Sequence, residues 1–145
     1  MRKIALFAVL VVGVMLIVSC ASMTSGEVND ETFRRIYSRY SSDLILDGAT
    51  QYTVRGGDTL VNISRSLYHD PYYYPVIMLA SRDVVLDPDK IQPGMVLTIP
   101  DLQRNMANAR SRAAIKGVIE DCARIEDDRG RSATAAGLRQ HAQGL

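Results

Sequence analysis

Two segments decide the fold of this chain: Gln-Tyr-Thr-Val-Arg-Gly-Gly-Asp-Thr-Leu at residues 51–60, and Asp-Pro-Asp-Lys-Ile-Gln-Pro-Gly-Met-Val-Leu-Thr-Ile-Pro at residues 87–100. In the first, apolar and polar residues alternate until two glycines interrupt them, a pattern typical of a half-buried strand that ends in a turn. In the second, the same alternation over residues 96–99 follows a Pro-Gly turn. We therefore predict one short strand in each segment.

The residues between these strands predict two helices. Asp58 is a residue type that caps helix N-termini, and after it Leu60, Ile63 and Leu67 recur at spacings of three and four. Pro75 suits the first turn of a second helix. The order strand, helix, helix, strand predicts an α+β module in which both helices cover one face of a two-stranded antiparallel sheet, because an isolated hairpin is only marginally stable.

The region 51–101 resembles a LysM domain. The resemblance rests on Tyr-Thr-Val at 52–54, Gly-Asp-Thr-Leu at 57–60, Pro-Asp-Lys-Ile at 88–91 and the Pro-Gly pair at 93–94. LysM domains bind N-acetylglucosamine-containing polymers such as peptidoglycan and chitin, in a shallow groove between the loop after the first strand and the loop before the second. The resemblance implies that the groove is lined by Gly57, Asp58, Thr59 and Leu60 on one side and by Asp89, Lys90, Ile91 and Gln92 on the other.

These residues suit glycan binding without catalysis. Backbone amides of the two loops can hydrogen-bond N-acetyl groups, and the side chains of Leu60 and Ile91 can contact methyl groups and sugar faces. A purely structural interpretation stays open, in which Asp58 is a helix cap and the two apolar residues belong to the core. The sequence departs from the family at Ser81, where asparagine is usual, and at Gln92, where an aromatic residue is common.

The N-terminus predicts export and lipidation. A short positive start precedes an apolar run at residues 4–18, which is short for a membrane-spanning helix and typical of a secretory signal. Ile-Val-Ser-Cys at 17–20 resembles a bacterial lipobox, whose cysteine becomes lipidated; the alternative is a cleaved signal in which the cysteine is incidental. We predict a lipoprotein signal peptide at 1–19, a lipid on Cys20 and a tether over 20–29. Ala21 and Ser22 follow the cysteine, so in a Gram-negative cell the aspartate that usually signals retention at the inner membrane is missing. We therefore expect an outer-membrane anchor that faces the periplasm.

Helical segments flank the module. Phe33, Ile36, Tyr37 and Tyr40 fall at helical spacing, which predicts an N-terminal helix and docking segment over 30–50. Two further apolar stripes predict a C-terminal helical hairpin over 102–145: the first begins with Leu102, Met106, Ala109 and Ala113 and continues through Ile115, Val118, Ile119, Cys122 and Ile125, and the second holds Leu138. The hairpin either supports the module or binds a protein partner.

Composition excludes several classes of function. The whole chain carries 17 basic and 16 acidic residues, and loss of Arg2 and Lys3 with the signal peptide leaves a net charge of −1. This balance gives no support to nucleic-acid binding. The two histidines and two cysteines lack the spacing of a metal site, and we predict no metal, no cofactor and no catalytic residue. Cys122 is expected as a buried apolar residue on a helix.

We conclude from the sequence that the protein is a non-catalytic, peptidoglycan-binding lipoprotein of the cell envelope. The alternative is an envelope assembly or protein-interaction scaffold, in which the LysM fold has lost sugar binding and the flanking helices bind a partner. A third hypothesis is small-ion sensing, since similar LysM modules occur in potassium-binding proteins.

Overall fold

The computed structural model describes residues 30–145. The predicted signal peptide, the lipidated Cys20 and the tether lie outside these residues. The elements follow in the order α1 (Asp30–Tyr40), β1 (Thr50–Thr53), α2 (Leu60–Tyr68), α3 (Tyr74–Ala80), β2 (Val96–Ile99), α4 (Leu102–Ala107), α5 (Ala109–Asp128) and α6 (Ser132–Gln143). Short 3₁₀ turns at Ser41–Asp43, Pro71–Tyr73 and Pro88–Lys90 connect them.

The sheet has the predicted form. Strands β1 and β2 pair antiparallel, with Thr50 opposite Ile99 and Thr53 opposite Val96. Leu97 and Ile99 are buried, whereas β1 is largely exposed. The predicted order strand, helix, helix, strand and the α+β fold class are therefore confirmed.

The N-terminus of α2 differs from the prediction. Thr59, not Asp58, is the N-cap, since its hydroxyl accepts a hydrogen bond from the Asn62 backbone amide at 3.2 Å. The Asp58 carboxylate instead accepts bonds from the Arg55 amide and the Tyr52 hydroxyl, each at 2.8 Å. Both residue types cap helices well, and the glycine turn before them directs the aspartate back toward the strand.

The buried face of α2 is shorter than its apolar pattern suggests. Leu60 and Ile63 are buried, but Leu67 is 42% exposed and does not join the core. Tyr68 holds the last turn instead, because its hydroxyl donates to the Pro100 carbonyl at 2.8 Å. The residue that follows α2, His69, has a φ of 59° and ends the helix.

Helix α3 forms the centre of the molecule. All seven of its residues are buried, and Pro75 lies in its first turn as predicted. The helix packs against α2, β2 and α5. Its C-terminus is fixed to the sheet because the Ser81 hydroxyl accepts a hydrogen bond from the Thr98 amide at 2.9 Å.

The flanking helices share this core. Phe33 and Tyr37 of α1 are buried, as are Ile115 and Ile119 of α5, and all belong to one apolar cluster with α3 and β2. The Tyr37 hydroxyl also donates to the Val85 carbonyl at 2.6 Å. The helix predicted from the N-terminal aromatic stripe is therefore present and packs its apolar face inward.

The first C-terminal helix is divided, where one continuous helix was predicted. Asn108 separates α4 from α5, because its side-chain oxygen accepts hydrogen bonds from the Arg110 and Ser111 amides at 3.0 Å and so caps a new helix. Ala109 and Ala113, which were expected in the apolar stripe, are exposed.

A buried asparagine in α4 docks the segment before β1. The Asn105 amide group exchanges two hydrogen bonds of 2.8 Å with the backbone of Ile45, accepting from its amide and donating to its carbonyl. Asn105 is fully buried, and its side-chain oxygen also accepts from the Ser111 hydroxyl. This paired contact fixes the segment before β1 as the chain enters the module.

Two glycines allow tyrosines to pack closely on the C-terminal helices. A Cβ atom on Gly117 of α5 would lie 2.5 Å from the Tyr40 ring, and one on Gly137 of α6 would overlap the Tyr72 hydroxyl. The Tyr40 hydroxyl is held in place because it donates to Asp121 at 3.0 Å. These contacts seat α5 against α1 and α6 against the turn before α3.

We expect Gly117→Ala to destabilise the protein by about 1–3 kcal/mol, the usual cost of overpacking. Helix propensity alone predicts the opposite sign, a gain approaching 1 kcal/mol. Urea denaturation of the variant, alone and combined with Tyr40→Ala, separates the two effects. In the Tyr40→Ala background the same glycine substitution should stabilise; destabilisation of equal size in both backgrounds would show that the tyrosine contact is not responsible.

Cys122 lies in the core, 2% exposed and unpaired, as predicted. Burial raises the pKa of its thiol well above the ordinary value, so the thiolate that reacts with disulfide reagents is not formed near neutral pH. A Cys20→Ser protein should therefore resist a thiol reagent at pH 8 and react fully once unfolded in guanidinium. Rapid reaction of the folded protein would contradict this placement.

Candidate functional site

The structure brings the two predicted loops together around a groove of about 340 Å³. Its lining comprises Asp58, Thr59, Leu60, Val61, Tyr74, Pro88, Asp89, Ile91, Glu126, Arg131 and Thr134. Most of the residues expected in the glycan groove are among them. Gly57, Lys90 and Gln92 belong to the same loops but do not line this groove.

The first loop is shaped by glycine and by one carboxylate. Gly57 adopts a φ of 86°, a left-handed conformation that side chains disfavour. Asp58 then folds back onto the strand. Two hydrogen bonds lower the pKa of its carboxyl: the bond from the Arg55 amide has the larger effect, and the bond from the Tyr52 hydroxyl has the smaller one. The groove therefore has a fixed, charged acceptor at this rim at neutral pH.

A buried carboxylate holds the second loop, residues 88–91, in place. Asp87 is 4% exposed and begins the turn Pro88–Lys90, since its side chain accepts a hydrogen bond from the Asp89 amide at 3.0 Å. Arg129 binds both aspartates, at 3.0 Å from Asp87 and 2.7 Å from Asp89. The end of α5 thus fixes the loop that carries half of the predicted site.

A third wall comes from the C-terminal helices and was not predicted from the sequence. Arg131 lies between α5 and α6, where its guanidinium pairs with Glu126 through two hydrogen bonds and with Asp89 at 2.9 Å. The bond to Glu126 is the main cause of the raised pKa of Arg131. Thr134 adds a partly exposed hydroxyl from the first turn of α6.

Local sequence gave only a weak signal for this wall. Glu126 and Arg131 lie on either side of the turn at Gly130. This spacing indicates that the two helix ends pair with each other, but it does not indicate which other residue they contact. Asp89 lies 40 residues before Arg129, and no periodicity connects positions so far apart. The wall depends on the tertiary packing of α5 against α3.

The floor of the groove is apolar. Tyr74 and Leu60 are 4% and 2% exposed and belong to the core as well as to the groove. Ile91 is partly buried at the mouth. The structural interpretation therefore agrees with the burial of Leu60, whereas Ile91 both packs against the core and lines the groove.

An apolar floor with polar rims suits a sugar, which presents apolar ring faces and hydrogen-bonding edges. Asp58, Asp89 and Glu126 offer carboxylate acceptors, and Thr134 offers a hydroxyl. Within residues 30–145, no group of three or more His, Cys, Asp and Glu side chains is arranged to hold a metal ion. In the same range, the structure has no helix that combines the length and the hydropathy of a membrane span.

Comparison with known proteins identifies the central region. Residues 52–100 match the model of the LysM domain family. The potassium binding protein Kbp of Escherichia coli O6:H1 (strain CFT073) is 46% identical over 50 residues, which cover 34% of this chain and 34% of that protein. The similarity thus spans about a third of each chain. No solved structure is significantly similar to this chain.

Proposed function

We propose, from the premise that residues 52–100 form a LysM domain, that this protein binds peptidoglycan without catalysis and holds its glycan strands near a membrane. LysM is a glycan-binding domain. The observation that carries the proposal is the groove between the loops at 57–60 and 88–91, whose apolar floor and polar rims suit N-acetylglucosamine units. The charged side chains of its rims serve as hydrogen-bonding partners for the sugar.

The geometry suggests how a sugar would lie. Ile91 at the mouth and Tyr74 on the floor offer apolar surface to a ring face or an N-acetyl methyl group. Thr59 and Asp58 offer polar atoms on one rim and Asp89 on the other. A single small groove binds weakly, but attachment of both protein and polymer to one surface raises their effective concentration.

Membrane attachment through a lipid on Cys20 completes the proposal. It rests on the signal-like residues 1–19 and the lipobox resemblance, and it places the protein in the cell envelope, at the outer membrane facing the periplasm. Metabolic labelling with a radioactive fatty acid tests it. Label that disappears in Cys20→Ala supports the anchor, and absence of label from the wild-type protein contradicts it.

Co-sedimentation with purified sacculi tests the binding function. The Cys20→Ser protein, without residues 1–19, should pellet with sacculi, and N-acetylglucosamine oligomers should release it. A folded sample that stays in the supernatant would contradict glycan binding and favour the alternative of an assembly scaffold with partner-binding helices.

Ile91→Asp should weaken sacculus binding about tenfold, equivalent to about 1.4 kcal/mol, because a charged side chain replaces the apolar contact at the mouth. Gln92→Asp is the matched control, since Gln92 is adjacent and exposed but does not line the groove. Leu60 is unsuitable because a charge at a buried position would unfold the domain. Equal binding by both variants, with unchanged melting temperatures, would show that the ligand does not use this mouth.

Monovalent-cation binding is a second candidate function, favoured by the similarity to a protein named for potassium binding. The similarity covers a third of that protein, so the comparison bears on the LysM region alone. Thermal melting in potassium and in sodium chloride at equal ionic strength tests this candidate. A melting temperature that rises specifically with potassium supports it, and identical curves contradict it.

A further inference from the structure

A second compartment of about 290 Å³ lies beside the groove. This compartment lies between α2, the turn Pro71–Tyr73 and the first turn of α6. Three residues, Val61, Tyr74 and Thr134, line both compartments. The two spaces are therefore adjacent, with Tyr74 and Thr134 at their junction, and we call them together the furrow.

The two compartments differ in charge. The first has carboxylates at Asp58, Asp89 and Glu126, and its cation, Arg131, is engaged by two of them. The second is lined by one charged side chain, Arg65 of α2. Arg65 is exposed and donates to Asn62 at 2.8 Å, and it takes part in none of the ion pairs found among residues 30–145. An anionic group would be repelled from the first compartment and attracted to the second.

We propose that the furrow recognises a branched ligand: the neutral glycan occupies the first compartment, and a carboxylate-bearing branch of the polymer occupies the second, where it pairs with Arg65. This inference rests on the proposed function and adds two elements to it. It extends the binding site along α6 and α2 into the second compartment, and it predicts preference for peptidoglycan fragments over chitin fragments of equal length. An arginine favours such a partner because its planar guanidinium matches a carboxylate.

Isothermal titration of the Cys20→Ser protein with three ligands tests the inference. The ligands are an N-acetylglucosamine tetramer, a peptidoglycan tetrasaccharide with its peptides, and the same tetrasaccharide after an amidase has removed them. The second ligand carries the carboxylates of its peptides, and the third ligand carries the free carboxylate of the muramic lactyl group. Comparison of these two distinguishes the source of the anion.

We expect at least one carboxylate-bearing ligand to bind about tenfold more tightly than the neutral tetramer. Arg65→Gln should remove this preference without changing the affinity for the tetramer. Thr134→Trp should weaken all binding about tenfold by filling the junction, whereas Ala136→Trp, on an exposed position of the same helix, should not.

Equal affinities for all three ligands, or a preference that Arg65→Gln leaves intact, would overturn the two-compartment proposal while leaving glycan binding in place. Full binding by a folded Thr134→Trp protein would overturn the role of α6. Failure of the wild-type protein to bind any of the ligands would contradict the proposed function itself, and the further inference with it.

Discussion

Deletion of residues 104–145 is expected to abolish cooperative unfolding of the remaining chain. Helix α5 supplies Ile115, Val118 and Ile119 to the core, each with no exposed surface. Burying an aliphatic side chain contributes roughly 1.5–3 kcal/mol, and the total stability of a domain is only about 5–15 kcal/mol. The remaining module would also lose Asn105, which docks the segment before β1.

Circular dichroism at 222 nm during heating measures this effect. The control is the full mature protein with Cys20 changed to Ser, heated under the same conditions. A sharp transition at an unchanged temperature after the C-terminal deletion would show that α4 to α6 do not support the module. It would then favour a role for these helices in binding a protein partner.

Arg129→Met is expected to destabilise the protein by about 3–5 kcal/mol, the usual cost of leaving a buried charge without its partner. The Arg129 side chain is 9% exposed and its partner Asp87 is 4% exposed. Among residues 30–145, the cation that still pairs with Asp87 is Lys90, at 3.5 Å and largely exposed. Because Arg129 also holds Asp89, the substitution should weaken glycan binding as well.

Arg124→Met provides the control for this substitution. Arg124 also pairs with an aspartate of low exposure, Asp121, but its own side chain is 66% exposed, and such pairs contribute at most about 1 kcal/mol. Urea denaturation of both variants gives the comparison. If Arg129→Met costs no more than Arg124→Met, the buried ion pair does not fix the second loop.

The sequence predicted those parts of the fold that local patterns encode. The alternation of apolar and polar residues predicted both strands. Apolar residues spaced three and four apart predicted α1, α2 and the buried face of α5. Prediction from local patterns failed where two neighbouring residues suit the same role, as with Asp58 and Thr59, either of which could cap the start of α2. It also failed at Asn108, where a side-chain cap begins a new helix inside an otherwise continuous helical pattern.

The candidate site was predictable only in part, for a related reason. The resemblance to LysM placed Asp58, Thr59, Leu60, Asp89 and Ile91 on facing loops, and the structure brings these side chains to one groove. The wall formed by α5 and α6 depends on contacts between residues far apart in sequence, such as the ion pair between Asp89 and Arg129. No local pattern encodes such contacts.

The central claim is that the groove at residues 58–61 and 88–91 binds N-acetylglucosamine-containing glycan. The most direct test is a titration of the ¹⁵N-labelled Cys20→Ser protein with an N-acetylglucosamine tetramer, followed by amide chemical shifts. We predict saturable shifts at these two loops and at residues 131–134. Saturating ligand that leaves these amides unmoved, or that moves amides elsewhere instead, would contradict the account.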